Sequence, residues 1–114
     1  MVETGLIELE TDIQTFDNLL TKANEMNVFR IVQECFNNIL KHAKATAARI
    51  QISKEDAIIA IRIEDNGVGI GPAATEKGGF GMIGIRERLN ILNGQIEILE
   101  NKPSGTIIHI QIPF

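Results

Sequence analysis

Ile59-Ala60-Ile61-Arg62-Ile63-Glu64-Asp65-Asn66-Gly67-Val68-Gly69-Ile70 is the stretch around which the chain reads. Its first half alternates with a period of two. Ile59, Ile61 and Ile63 share one face and Ala60, Arg62 and Glu64 the other, as in a half-buried strand. Asp65 falls in phase with the isoleucines, so the strand aims a carboxylate at the core side, and the backbone then breaks at Asn66-Gly67. A buried carboxylate is costly unless it is paired or hydrogen-bonded. Alone, Asn-Gly after a strand is an ordinary turn. Here a helical segment carrying Glu34 and Asn38 precedes it, and the glycine-rich Gly78-Gly79-Phe80-Gly81 follows.

The helical segment runs from Asn27 to Ala43, with Asn24 or Asn27 as its cap and Glu25 favourable near its start. Val28, Ile31, Val32, Cys35, Phe36, Ile39, Leu40 and Ala43 form a wide apolar arc. At ~100° per residue, Glu34, Asn38 and His42 make a polar stripe along one border of that arc. A partly solvated helix flank reads this way. So does a carboxylate and an amide held at the rim of a pocket.

The remaining elements fall around these two. Gly5 to Ile13 reads as a strand, with Ile7 and Leu9 on one face and Glu8 and Glu10 on the other. Thr15 to Thr21 is ambiguous. Ala47 to Ser53 is a strand with Ile50 and Ile52 inward, and Lys54-Glu55-Asp56 turns it into the strand Ala57 to Glu64. Gly71 to Gly79 has Pro, small residues and no periodicity, and reads as a mobile loop. Ile83 to Leu92 is a helix ending at Asn93-Gly94. Gln95 to Glu100 and Thr106 to Ile112 are strands joined by the turn Asn101-Lys102-Pro103-Ser104-Gly105, the last strand with Ile108, Ile110 and Ile112 inward and His109 outward. The order predicts an α+β fold: a two-layer sandwich of a mixed, mostly antiparallel sheet with helices on one face.

Composition bounds the rest. The chain has 114 residues, enough for one domain spanning 1–114. A net charge of -4 argues against a nucleic-acid binder. No apolar run is long enough to span a bilayer, and no signal peptide is visible at Met1-Val2-Glu3-Thr4. Cys35 is the single cysteine and reads as core packing.

Three pieces carry chemistry. A glycine-rich loop leading into a helix offers free N–H groups and a positive dipole end to an anion. Gly79, Gly81 and Gly84 sit at that transition, in neither the P-loop nor the dinucleotide-binding spacing. Glu34 and Asn38 offer hard oxygen ligands suited to Mg²⁺. Asp65 can accept a hydrogen bond from an exocyclic amine.

Arg30-Ile31-Val32-Gln33-Glu34-Cys35-Phe36-Asn37-Asn38-Ile39-Leu40-Lys41-His42-Ala43 resembles the N box of sensor histidine kinases. Asp65-Asn66-Gly67-Val68-Gly69-Ile70 resembles their first glycine box, and Gly79-Phe80-Gly81-Met82-Ile83-Gly84-Ile85-Arg86-Glu87-Arg88-Leu89 the second. Ser104-Gly105-Thr106 resembles their Gly-x-Thr element. These span Asn27 to Pro113 in the family's order. The chain thus resembles the ATP-binding catalytic domain of the GHKL superfamily, with the Bergerat ATP-binding fold. The Arg-Ile-Val-Gln-Glu and Gly-Ile-Arg-Glu-Arg-Leu signatures are most similar to the subgroup with nitrate sensors and cell-envelope stress sensors.

The resemblance implies ATP and Mg²⁺ as cofactors and a role for each matching residue. Asn38 would hold Mg²⁺, and Glu34 would be the general base or align the reacting groups. His42 would line the phosphate region. Asp65 would bond the adenine amine, with Gly67, Gly69 and Ile70 close to the base. Gly79, Gly81, Met82 and Gly84 would shape the phosphate end and lid, and Thr106 would help hold Asp65. Phe80 departs from the His or Thr often found between those glycines. The phosphoacceptor histidine of the family sits on a separate dimerising helical domain that this sequence lacks. The chain is therefore expected to be the catalytic domain of a longer, cytoplasmic or membrane-anchored kinase. Alone it would be a monomer; the full-length kinase would be a homodimer that signals to a response regulator. The alternative is a free-standing serine kinase of the anti-sigma-factor type, which shares the superfamily fold.

Overall fold

The computed structural model describes residues 7–15, 18–68 and 82–114, with backbone alone at 42 and 43. In chain order they form β1 (Glu8–Ile13), α1 (Lys22–Asn38), a π-helical turn (Ile39–Ala43), β2 (Ala47–Glu55), β3 (Ile58–Asp65), α2 (Met82–Leu92), β4 (Gln95–Glu100) and β5 (Thr106–Pro113). The strands make one sheet in the order β1-β2-β3-β5-β4. β1 lies parallel to β2, and the other neighbours are antiparallel. This is the α+β architecture expected from the pattern, a mixed sheet with helices packed on one face.

β3 is central and is paired on both edges. Ile61 lies opposite Ile52 and Ile110, and Ile63 opposite Ile50 and Ile108. Alternating isoleucines on adjacent strands build one apolar face, where branched side chains pack well. Ile31 and Cys35 of α1, with Ile85 and Leu89 of α2, are buried in the same core. The other face is polar: Gln51, Arg62, His109 and Glu97 form a row across β2, β3, β5 and β4. His109 is half-buried within that row, as its outward phase implied.

Three local details differ from the sequence reading. The helix begins earlier than Asn27. Thr21 is the cap, with an extended backbone, and its hydroxyl accepts a hydrogen bond from Asn24 N–H at 3.1 Å. Asn24 is thus the donor in the cap, and Asn27 lies inside the helix. Next, β2 runs through Glu55, and the turn is Asp56-Ala57, with Asp56 at φ 53°. Last, the α-helical period ends at Asn38, and the i→i+5 pattern that follows shifts the phase of later side chains. Leu40, counted in the apolar arc, lies at its edge, about 120° from Val28 at ~100° per residue, and is 51% exposed.

α2 ends where expected, in a Schellman motif. Asn93 adopts φ 57°, Gly94 N–H donates to the Leu89 carbonyl at 2.8 Å, and Asn93 N–H donates to the Asn90 carbonyl at 3.2 Å. Asn takes the left-handed position, and the glycine beside it is needed for packing: a Cβ on Gly94 would sit 2.8 Å from Leu89 Cδ2. Among the described residues, no helix is long and apolar enough to cross a membrane.

The cap assignment has a measurable consequence. Thr21→Ala should lower unfolding free energy by about 1 kcal/mol in urea titrations, while Asn27→Ala removes no cap and should change it by less than about 0.5 kcal/mol. Equal effects of the two changes would place the helix start elsewhere.

Candidate functional site

The site is built from the end of β3. Asp65 continues the inward phase of Ile59, Ile61 and Ile63 and is 4% exposed. It lies opposite Thr106, the first residue of β5, which is equally buried. The carboxylate is met by main-chain donors. Oδ1 accepts Gly67 N–H at 2.8 Å, and the Thr106 N–H also donates to the carboxylate. Burial pushes the Asp65 carboxyl above its ordinary value of 3.8, and the bonds from Gly67 and Thr106 pull the other way. Asp65, Gly67 and Thr106 thus form one hydrogen-bonded group; the bond from Gly67 to the carboxylate is one the sequence reading did not include.

The main chain behind that carboxylate is held by residues the sequence reading left as turn formers. Asn66 Oδ1 accepts the N–H groups of Thr46 at 2.9 Å and Ala47 at 3.0 Å, and its Nδ2 donates to Thr46 Oγ1 at 2.9 Å. The side chain therefore ties the end of β3 to the start of β2. From the β4–β5 turn, Asn101 Nδ2 donates to the Asp65 carbonyl at 2.8 Å and Ser104 Oγ to the Asn66 carbonyl at 3.3 Å. Gly105, at φ 114°, lies so close that a Cβ there would collide with the Asp65 carbonyl. Asn and Ser in turn segments were the only signal for these bonds, and such residues usually serve their own turn.

α1 supplies the second part. Asn38 is its last residue, 8% exposed, and its Nδ2 is buried without a hydrogen-bond partner among the described residues. Native buried amides are nearly always satisfied, so this one has a vacancy for a polar group. Which end of the amide faces that group is open to exchange, since the O and N positions of Asn are assigned by their partners. Glu34 lies one turn earlier and is half-buried. No hydrogen bond among the described residues joins either to the Asp65 group. Cys35 between them is inert: burial, aided by the nearby Glu34 charge, pushes its thiol to about 12.

α2 brings the remainder. Met82, its first residue, is 1% exposed and belongs to the core cluster. Gly84 is in the opening turn, and Arg88 Nη1 lies 3.4 Å from its carbonyl. Gly69, Ile70, Gly79, Gly81, the 71–79 loop, Phe80 and the His42 side chain lie outside the described residues. Among the described residues, no cluster of three or more His, Cys, Asp or Glu could bind a metal by itself.

The profile of the family described as Histidine kinase-, DNA gyrase B-, and HSP90-like ATPase matches residues 23–114. The chain belongs to that ATPase family. It is similar to the histidine-protein kinase/phosphatase DegS of Brevibacillus brevis, with 39% identity over 78% of this chain and 23% of that protein. It is also similar to the histidine-protein kinase/phosphatase UhpB of Salmonella typhimurium, with 35% identity over 98% of this chain and 22% of that protein. The fold matches the histidine kinase domain of a blue-light activated kinase from Erythrobacter litoralis, with TM-score 0.83 and 23% identity over 96% of this chain and 52% of that one. The domain is thus of the catalytic ATP-binding type found in sensor histidine kinases. It spans about a quarter of the length of the curated relatives it matches.

The raised Asp65 pKa fixes the sign of a pH effect. The folded protein binds this proton more tightly than the unfolded chain does. The stabilisation from the protonated form is complete below the ordinary value of 3.8 and is lost as pH rises through the raised folded value. Asp65→Asn lacks that loss. Urea titrations of the ligand-free protein should therefore show the mutant gaining stability relative to wild type as pH rises from 4 towards 7. A relative loss over that range would mean that the two N–H bonds outweigh burial.

Proposed function

We propose that this chain is a single catalytic domain, spanning 1–114, that binds Mg²⁺-ATP and donates the γ-phosphoryl group to a histidine. That histidine would lie on a separate dimerising domain of the same kinase. The observation that carries the reading is the buried Asp65 carboxylate, fixed by main-chain N–H groups at the end of the central strand of a member of this ATPase family. In this reading the free carboxylate lone pairs accept the exocyclic amine of adenine. Thr106 holds the carboxylate, and Gly67, Gly69 and Ile70 border the base. Gly79, Gly81, Met82 and Gly84 shape the phosphate end, where the positive end of α2 favours an anion. His42 lines the same end.

Asn38 is the residue suited to Mg²⁺. Its amide oxygen would be the ligand, its Nδ2 has no partner among the described residues, and Mg²⁺ takes few protein ligands, leaving most positions to phosphates and water. When bound, Mg²⁺ neutralises charge on the phosphate oxygens. Glu34 accepts or aligns the proton of the acceptor imidazole while its nitrogen attacks the γ-phosphorus, the bond to the β–γ bridging oxygen breaks, and ADP leaves. Little else is required of the protein, since phosphoryl transfer is largely positioning and electrostatics. In the parent kinase, which would act as a homodimer on the cytoplasmic side, a response regulator would take the phosphoryl group onward. The isolated domain would be a monomer.

Binding and chemistry can be separated by mutation. Asp65→Asn should weaken ADP by roughly 1.5–3 kcal/mol in calorimetry, the cost of one charge-assisted hydrogen bond. Unchanged affinity in a folded mutant would remove Asp65 from the adenine role. Glu34→Gln should hold ATP affinity within a few fold, yet slow transfer to an acceptor domain in trans by roughly 10²–10⁴. Acid-labile product marks phosphohistidine, and acid-stable product would instead identify a serine kinase.

A further inference from the structure

The β3 strand stops at Asp65, so its carbonyl has no further rung of the ladder to meet. An unpaired buried carbonyl is costly, and here a side chain fills the place. Asn101 Nδ2 donates to it at 2.8 Å, while Asn101 Oδ1 accepts the N–H of Lys102 at 2.9 Å and Asn101 N–H donates to the Gly105 carbonyl at 3.1 Å. Asn101 is thus locked into its own turn by two bonds and spends the third across the sheet on Asp65. The turn is also pressed against that peptide, because Gly105 leaves no room for a Cβ beside the Asp65 carbonyl. On the far side Asn66 N–H donates to the Ala47 carbonyl at 3.2 Å, and its side chain grips Thr46 and Ala47. The peptide that follows the buried carboxylate is held by β2 on one side and by the β4–β5 turn on the other.

We propose that Asn101 is a positioning residue for adenine recognition, acting through the main chain of Asp65. This rests on the nucleotide reading of Asp65. Asn101 needs no contact with the base. By fixing the Asp65 carbonyl, it fixes the direction in which the carboxylate leaves the strand, and so the placement of the acceptor for the exocyclic amine. A small rotation of that peptide would misalign a bond that weakens steeply with angle. The effect must therefore depend on the amine of the ligand and on the carboxylate of Asp65. A general loss of stability depends on neither.

The test is a set of ADP and IDP affinities, since inosine carries a carbonyl where adenine carries the amine. Calorimetry is run on wild type, Asn101→Ala, Asp65→Asn and the double mutant. Asn101→Ala should weaken ADP about five- to twentyfold, leave IDP within twofold, and add less than twofold to Asp65→Asn. Equal weakening of ADP and IDP, or the full effect persisting beside Asp65→Asn, would make Asn101 a structural turn residue and overturn the proposal. If Asp65→Asn binds ADP like wild type, the adenine reading itself falls and this inference with it. Asn101→Asp keeps the acceptor for Lys102 N–H and replaces the donor by a charged acceptor; the ratio of ADP to IDP affinity, in which a general effect of that charge cancels, supplies the same comparison should Asn101→Ala not fold.

Discussion

A carboxylate buried at the end of the central strand sets the terms for the rest of this fold. Desolvation raises its pKa, and the protein offsets this with main-chain N–H groups rather than with a cation. That choice demands a specific backbone. Gly67 must turn back within two residues of Asp65 to deliver its N–H. Thr106 must begin β5 directly opposite. Gly105 must lie against the Asp65 carbonyl, where any side chain would collide. Each requirement falls on a residue at the edge of a strand, so the sheet can keep its regular isoleucine packing while its end is shaped for one acceptor. A cation partner would have neutralised the carboxylate and left it nothing to offer a ligand.

The helix side solves a different problem. α1 packs an apolar face on the sheet and must still leave a polar amide at its end. Asn38 stands where the i→i+4 pattern gives way to i→i+5, and such π-helical turns recur at functional positions because they re-aim side chains at modest cost. The core beneath is apolar and chemically quiet, with Cys35 held as a thiol. Among the described residues, Asn38 Nδ2 then stands out as unsatisfied beside the other buried polar residues, Asp65 and Thr106, which are bonded.

Much of this was legible in the sequence because it is periodic. Alternation gave the inward phase of Asp65, the five strands and the turn at Asn93-Gly94, and spacing along one helix put Glu34 and Asn38 together. The parts that were not legible depend on contacts between distant segments or on local cues too weak to choose between neighbouring residues. Thr21 caps α1 through a local bond that ambiguous flanking sequence concealed. Leu40 sits at the edge of the apolar arc, about 120° from Val28 at ~100° per residue, and counting it inward overextended that arc. Asn66 and Asn101 looked like turn formers. Their bonds run to Thr46 and to Asp65, residues 20 and 36 positions away, and no local pattern encodes such partners.

The same carboxylate links stability to selectivity in the proposed function. Without ligand, Asp65 retains acceptor capacity in a largely dehydrated place, so the empty domain is expected to be less stable near neutral pH than with an uncharged residue there. An adenine amine would fill that capacity, so part of the stability lost by burial returns as binding free energy, and only for ligands that carry the donor. A base with a carbonyl at that position would set two acceptors against each other in the same dry site. Leaving a buried acceptor unmatched is penalised far more than losing an apolar contact, which is why one polar residue can discriminate so strongly. That discrimination holds only if the carboxylate cannot turn away from the mismatch. The clamp on the peptide from β2 and from the β4–β5 turn meets this condition, and the rigidity of the sheet end is then a requirement of selectivity as much as of folding.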